Sequence, residues 1–259
     1  MNSARAGLVV APGWFPRAVV SGFAASAVML FGFIIAYGVA AVLAGVPLTE
    51  RRGAEVMRSW LYALTHNSVI DFGLAYLYVA VAVYFAGGVL WAVLYARFAD
   101  PYLPGPPWWR GVLFSLLPAA VSLFVVLPLL GGGLAGIALG AGPFPLIGNL
   151  LLHVLYGATL GIIYGPFGDL SAETLQTDTA EDLQAMVAAE QATVRAALIG
   201  LLIGLAIGVV GALGGLSQEA TVLGVAPAAF LLATVLSGAT LGALVGSLAG
   251  LPGTYREAA

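Results

Sequence analysis

Apolar runs at about 18–44, 69–96, 111–130, 143–165, 194–215 and 221–250 follow one another along the chain, with charges almost confined to the gaps. A bilayer's hydrocarbon core takes roughly 20 apolar residues per helical crossing, and each run reaches that length. Composition agrees: 61% of the 259 residues are hydrophobic and 8% charged, with mean hydropathy +1.03. Too little polar surface is available to cover a water-soluble domain. The sequence predicts an all-α integral membrane protein with six transmembrane helices in a single membrane domain, 1–259.

An even number of crossings puts both termini on one side. Arg5, Arg17, Arg97, Arg110, Arg195 and Arg256 share that side, against Arg51, Arg52 and Arg58 opposite. The positive-inside rule then expects both termini in the cytoplasm of a prokaryotic inner membrane. Residues 1–17, "MNSARAGLVVAPGWFPR", lack the apolar core and small-residue cleavage site of a secretory signal and are expected to form an arm at the surface.

Two segments between crossings carry helical signals. In residues 50–66, Val56, Met57, Trp60, Leu61 and Leu64 share one face, with Arg51, Arg52, Glu55 and Arg58 on the other, the pattern of an interfacial helix. Further on, Thr179 followed by Asp182 resembles a capping box. An acidic cytoplasmic helix starting there is expected to run straight into the fifth crossing.

The chain also repeats itself. "YFAGGVLWAVLYARFAD" (Tyr84 to Asp100) aligns without gaps on "HVLYGATLGIIYGPFGD" (His153 to Asp169), matching Tyr95, Phe98 and Asp100 to Tyr164, Phe167 and Asp169. "TVLSGATLGALVGSLAG" (Thr234 to Gly250) keeps the glycines. The preceding helices open "RAVVSG" at Arg17, "RGVLFS" at Arg110 and "RAALIG" at Arg195. Three tandem helical hairpins in one orientation are expected, at about 17–100, 110–169 and 195–250.

Residues four apart share a helix face. The fourth crossing therefore aligns Asn149, His153, Gly157, Gly161 and Gly165; the sixth aligns Thr234, Gly238, Gly242 and Gly246. Tyr84 and Gly88 begin the stripe of the second crossing, and Gly200, Gly204 and Gly208 form that of the fifth. Small-xxx-small stripes let helices approach in lipid, where no hydrophobic force presses them together. Packing is the plain reading of these glycines, with a flat groove for a planar cofactor or a lipid tail as the other. His153 heads the longest stripe at the apolar depth of its span, where polar groups need partners. Tyr84, Asn149, Tyr156 and Thr234 are its expected neighbours in a hydrogen-bonded network, should the hairpins surround a common axis. Other roles for His153 are an axial ligand to haem or chlorin, or part of a proton or substrate relay. Pro118 and Pro128, with "GGGLAGIALGAG" (Gly131 to Gly142), predict a kinked third crossing that is short or partly unwound and borders a cavity.

Several chemistries are excluded. Without cysteine there are no disulfides, thiolate metal sites or cysteine nucleophiles. No HExxH, GxSxG or Walker motif suggests an enzyme, no metal site is expected, and no basic stripe suggests nucleic acid. The Pro-x-Asp/Glu-x-x-Lys/Arg gate of mitochondrial-type carriers is missing where the odd helices end, at "GVPLTERR" and "LPLLGGG".

The helix with His153, Tyr156, Gly157, Gly161, Tyr164 and Gly165 resembles a loose family of uncharacterised prokaryotic polytopic membrane proteins that carry an H-x-x-Y-G-x-x-x-G-x-x-Y-G helix. That resemblance implies no catalytic residues, and it implies a companion role beside larger energy-transducing assemblies. The expected function is a non-enzymatic accessory or structural subunit, in contact with membrane lipids and other integral subunits. A small-molecule or ion transporter with a site at His153, Asn149 and Tyr84 is the alternative.

Overall fold

The computed structural model describes residues 13–46, 52–174, 180–217 and 226–250, apart from the side chains of 52, 166–183 and 215–217. The described residues are helical with short connections and no strand. Six helices are long and apolar enough to cross a membrane. They include α1 (Trp14–Gly45), α7 (Phe144–Thr174), α8 (Ala180–Ser217) and α9 (Pro227–Gly250). The other two are composite. The first joins α4 (Leu77–Leu94) to a π turn (Tyr95–Ala99) and a 3₁₀ turn (Asp100–Tyr102). The second joins α5 (Pro107–Val121) to a π turn (Ser122–Val126) and α6 (Leu127–Leu129). Short helices α2 (Arg52–Thr65) and α3 (Ser68–Ala75) connect α1 to α4.

Two expectations change. The run at 69–96 is not one helix, because the chain leaves helical geometry at Tyr76 and separates α3 from α4. Asn67 starts α3 by accepting from the Val69 and Ile70 amides, which satisfies two of the first-turn N–H groups that have no partner within the helix. The third apolar span is not short: it runs Pro107–Leu129, with a π turn at Ser122–Val126 in place of an unwound stretch. Its glycine-rich sequel lies past the helix end and is buried only in places, at Gly132, Gly136 and Ala141, while Leu134 and Ile137 are exposed. Trp60 of α2 sits on Gly142, whose φ of +57° and close ring contact both exclude a side chain. Trp60 also meets Phe144 edge-on. The helix expected over 50–66 forms as α2, with Leu61 and Thr65 buried and Val56 and Met57 exposed. As expected, α8 is continuous into the fifth crossing. The expected N-terminal arm ends sooner than residue 17, since Trp14–Arg17 already belong to α1; residues 1–12, Thr179 and the side chains of Phe167, Asp169 and Asp182 lie outside the described residues.

The most extensive packing is between the sequence-adjacent helices α8 and α9, then α5 and α7, while α1 packs about equally on α4 and on α7. The glycines explain the pairing. A Cβ on Gly200 would overlap the backbone of Gly238 and Gly242; on Gly111, that of Gly157 and Gly161; on Gly22, the backbone of Gly88 and Val89 and the Ala92 side chain. Gly22, Gly111 and Gly200 thus hold equivalent places at three crossings. The sequence alignment on Arg17, Arg110 and Arg195 had set Ser115, not Gly111, against Gly22 and Gly200. The contacts move the middle pair by one helical turn.

The pairs do not surround an axis. The α1/α4 pair is central: α1 packs on α7 to one side and on α9 to the other, and α4 also packs on α9. No comparable contact joins α7 to α9. The buried core gathers Ala18, Ala25, Ala92, Tyr95, Phe114, Tyr156, Leu160 and Tyr164, where α1, α4, α5 and α7 converge.

Candidate functional site

His153 is placed by α7, one turn before Gly157, which presses on Gly111 and Ser115 of α5. That contact turns the stripe and its histidine toward the α5–α6 junction. The imidazole is 9% exposed, and its Nδ1 lies 2.8 Å from the Asn149 carbonyl oxygen. A carbonyl only accepts, so Nδ1 carries the proton. Asn149 donates from Nδ2 to Ser122 Oγ at 2.6 Å. Ser122 opens the π turn, in which the Leu127 N–H reaches back to the Ser122 carbonyl. Pro128 follows directly and has no N–H to offer the previous turn. A π turn inside an α-helix is frequent at functional positions, and this one brings the serine to the asparagine.

The other expected members go elsewhere. Tyr84 donates to the Ser26 carbonyl of α1 at 2.8 Å. Tyr156 donates to the Gly88 carbonyl of α4 at 2.6 Å. Thr234 bonds only within its own helix, to the Leu231 carbonyl at 3.0 Å, and lies against Gly204 and Gly208. The structure therefore brings together His153, Asn149 and Ser122, sets Tyr84 and Tyr156 as pins between helices, and leaves Thr234 in the α8/α9 pair. The common network expected around an axis does not form, because the pairs lie in a row.

Every glycine of the stripes is occupied by a partner helix. Gly157, Gly161 and Gly165 are covered by α5, at Gly111 and Ser115, at Pro107 and Trp108, and at Pro107. Gly238, Gly242 and Gly246 are covered by α8, and Gly88 by Ser26. No flat glycine face remains beside His153 for a macrocycle. A haem or chlorin does not fit these residues.

A second polar cluster forms around a salt bridge between Asp100 and Arg110, the loop pairing that their places at the helix ends suggest. Asp100 is 7% exposed, yet Tyr95 donates to its Oδ1 at 2.7 Å. Arg110 Nη1 stands 3.5 Å from the same oxygen, while Arg110 Nε donates to the Gly105 carbonyl at 2.8 Å. Tyr164 meets the Tyr95 ring edge-on at 5.8 Å between centroids. Residues five apart do not share an α-helical face; the π turn at Tyr95–Ala99 brings Tyr95 and Asp100 together. The repeat alignment contained the signal, since it singled out Tyr95, Tyr164 and Asp100. The cluster ties the end of the first pair to the start of the second. Among the described residues no group of three or more His, Cys, Asp or Glu could hold a metal. Searches of family models, curated proteins and solved structures gave no match to this chain.

Proposed function

We propose that this chain is a non-catalytic, multi-pass subunit of a larger complex in a prokaryotic inner membrane. In this reading its six spans are three tandem hairpins of one orientation with both termini in the cytoplasm. The observation that carries it is the direction in which its special residues are spent. Glycines at all three crossings press on backbone of the paired helix, and Tyr84 and Tyr156 donate to carbonyls of neighbouring helices. Large apolar side chains such as Phe31, Ile34, Leu77 and Val210 face outward. Such a chain builds a rigid body with an apolar exterior, the form suited to lipids and to other membrane subunits. Trp14, Trp108 and Trp109 anchor the cytoplasmic headgroup level, and the start of α8 supplies an aqueous docking surface.

The test is purification from the native membrane in mild detergent, with mass spectrometry of co-eluting chains and an absorption spectrum of the same fraction. Larger chains in fixed stoichiometry, with no pigment band that follows this chain, are expected. A colourless, partner-free species would contradict the reading.

A transporter is the second reading, favoured by one observation: Asn149 and His153 retain unpartnered polar atoms beside a π turn at the depth of the bilayer. It requires substrate-dependent flux in vesicles of the purified chain, lost in His153→Leu with the fold retained.

A further inference from the structure

Two acceptors on one face of α7 have no donor. With Nδ1 donating to the Asn149 carbonyl, the Nε2 of a neutral His153 ring keeps a lone pair; no hydrogen bond joins it to any described group, and unlike Asn149 Oδ1 it is not fully enclosed. Asn149 commits Nδ2 to Ser122, and its Oδ1 is buried with no partner. Turning the amide over does not repair this. The oxygen would then accept from Ser122, and the NH₂ group would occupy the position that has no partner. Nor do the two side chains satisfy each other, since no hydrogen bond links the amide to the imidazole.

Positions 149 and 153 are one turn apart on the same face. Buried polar groups in proteins are paired with protein or with ordered water, and the demand is stronger at bilayer depth, where bulk water is absent. Two neighbouring acceptors need a guest with two donor hydrogens. Size narrows the choice: the histidine is 9% exposed, and the next turn of the stripe is pressed against α5 at Gly111 and Ser115. We infer that Asn149 Oδ1 and His153 Nε2 form a binding site for one small protic molecule, water, which donates a hydrogen to each. The π turn creates the site by bringing Ser122 to the Asn149 amide, which occupies one amide atom and leaves the other over. This follows from hydrogen-bond accounting and holds whether the chain is a subunit or a transporter.

The experiment is magic-angle-spinning NMR of the full chain in lipid bilayers, labelled with ¹⁵N-histidine, in a His66→Gln background that leaves one imidazole. The expected spectrum has Nδ1 protonated and Nε2 unprotonated, with Nε2 displaced from the bare-imidazole value by an accepted hydrogen bond. Magnetisation should pass from water protons to Nε2. A bare Nε2 without water transfer, or a proton on Nε2 in place of Nδ1, overturns the proposal. In Asn149→Leu the transfer should fall at least severalfold while Nδ1–H persists, because its acceptor is backbone; unchanged transfer overturns the proposal. Ser122→Ala keeps both acceptors and should keep the water signal. Should Asn149→Leu fail to fold, the spectrum with both acceptors present still decides.

Discussion

At the scale of single residues, the chain uses its few polar side chains to tie helices together. Tyr156 reaches the Gly88 carbonyl at 2.6 Å, and interhelical hydrogen bonds of this kind contribute about 0.6 kcal/mol on average in membranes. Tyr156→Phe should therefore lower stability by less than about 2 kcal/mol. The Asp100–Arg110 pair should behave differently. Asp100 is nearly enclosed, so Arg110→Met strands a carboxylate and should cost about 3 kcal/mol. Adding Asp100→Asn removes that charge and should recover part of the loss; a double change no better than the single one would contradict the account. His153 was legible in the sequence as a histidine inside an apolar span. The Tyr95–Asp100 contact was not, because a spacing of five means nothing on an α-helix and becomes a contact only when the turn widens.

At the scale of elements, breaks and turns decide what the apolar runs become. Hydropathy alone cannot separate α3 from α4, since both are apolar and the break at Tyr76 carries no glycine or proline. Asn67 is the readable signal: it caps α3 through the Val69 and Ile70 amides and also donates to the Ala63 and Leu64 carbonyls at the end of α2. Asn67→Ala should cost about 1 kcal/mol, as for other N-cap losses. It should also raise the proteolytic sensitivity of the 65–69 connection; an unchanged cleavage rate would count against this joint being what orients α2. The glycine-rich stretch after α6 was legible as irregular, but its contact with α2 was not, because nothing in its own letters announces Trp60 lying on Gly142.

At the scale of the whole molecule, periodicity of four revealed which faces are small and which helices are long enough to span. It could not rank partners, because every glycine face fits every other. Sequence adjacency settles the pairing: α5 with α7 and α8 with α9 join through connections too short to let other helices intervene, and the α1/α4 pair then sits between them. The one-turn offset of the middle pair was hidden because Arg110 matched Arg17 and Arg195 by letter, whereas contact geometry matches Gly111 with Gly22 and Gly200. The central claim is that these glycines are spent on the chain's own backbone, and one methyl group tests it. Gly22→Ala, Gly157→Ala and Gly200→Ala each place a Cβ onto partner-helix atoms and should destabilise by about 1–3 kcal/mol. Gly38, Gly87 and Gly148 have nothing within 4 Å of an added Cβ. Their alanine variants should be neutral or more stable by up to about 1 kcal/mol, since alanine is the better helix former. Thermal unfolding of these six variants in mild detergent is the measurement: opposite signs for the two sets are predicted, and equal behaviour would contradict the account.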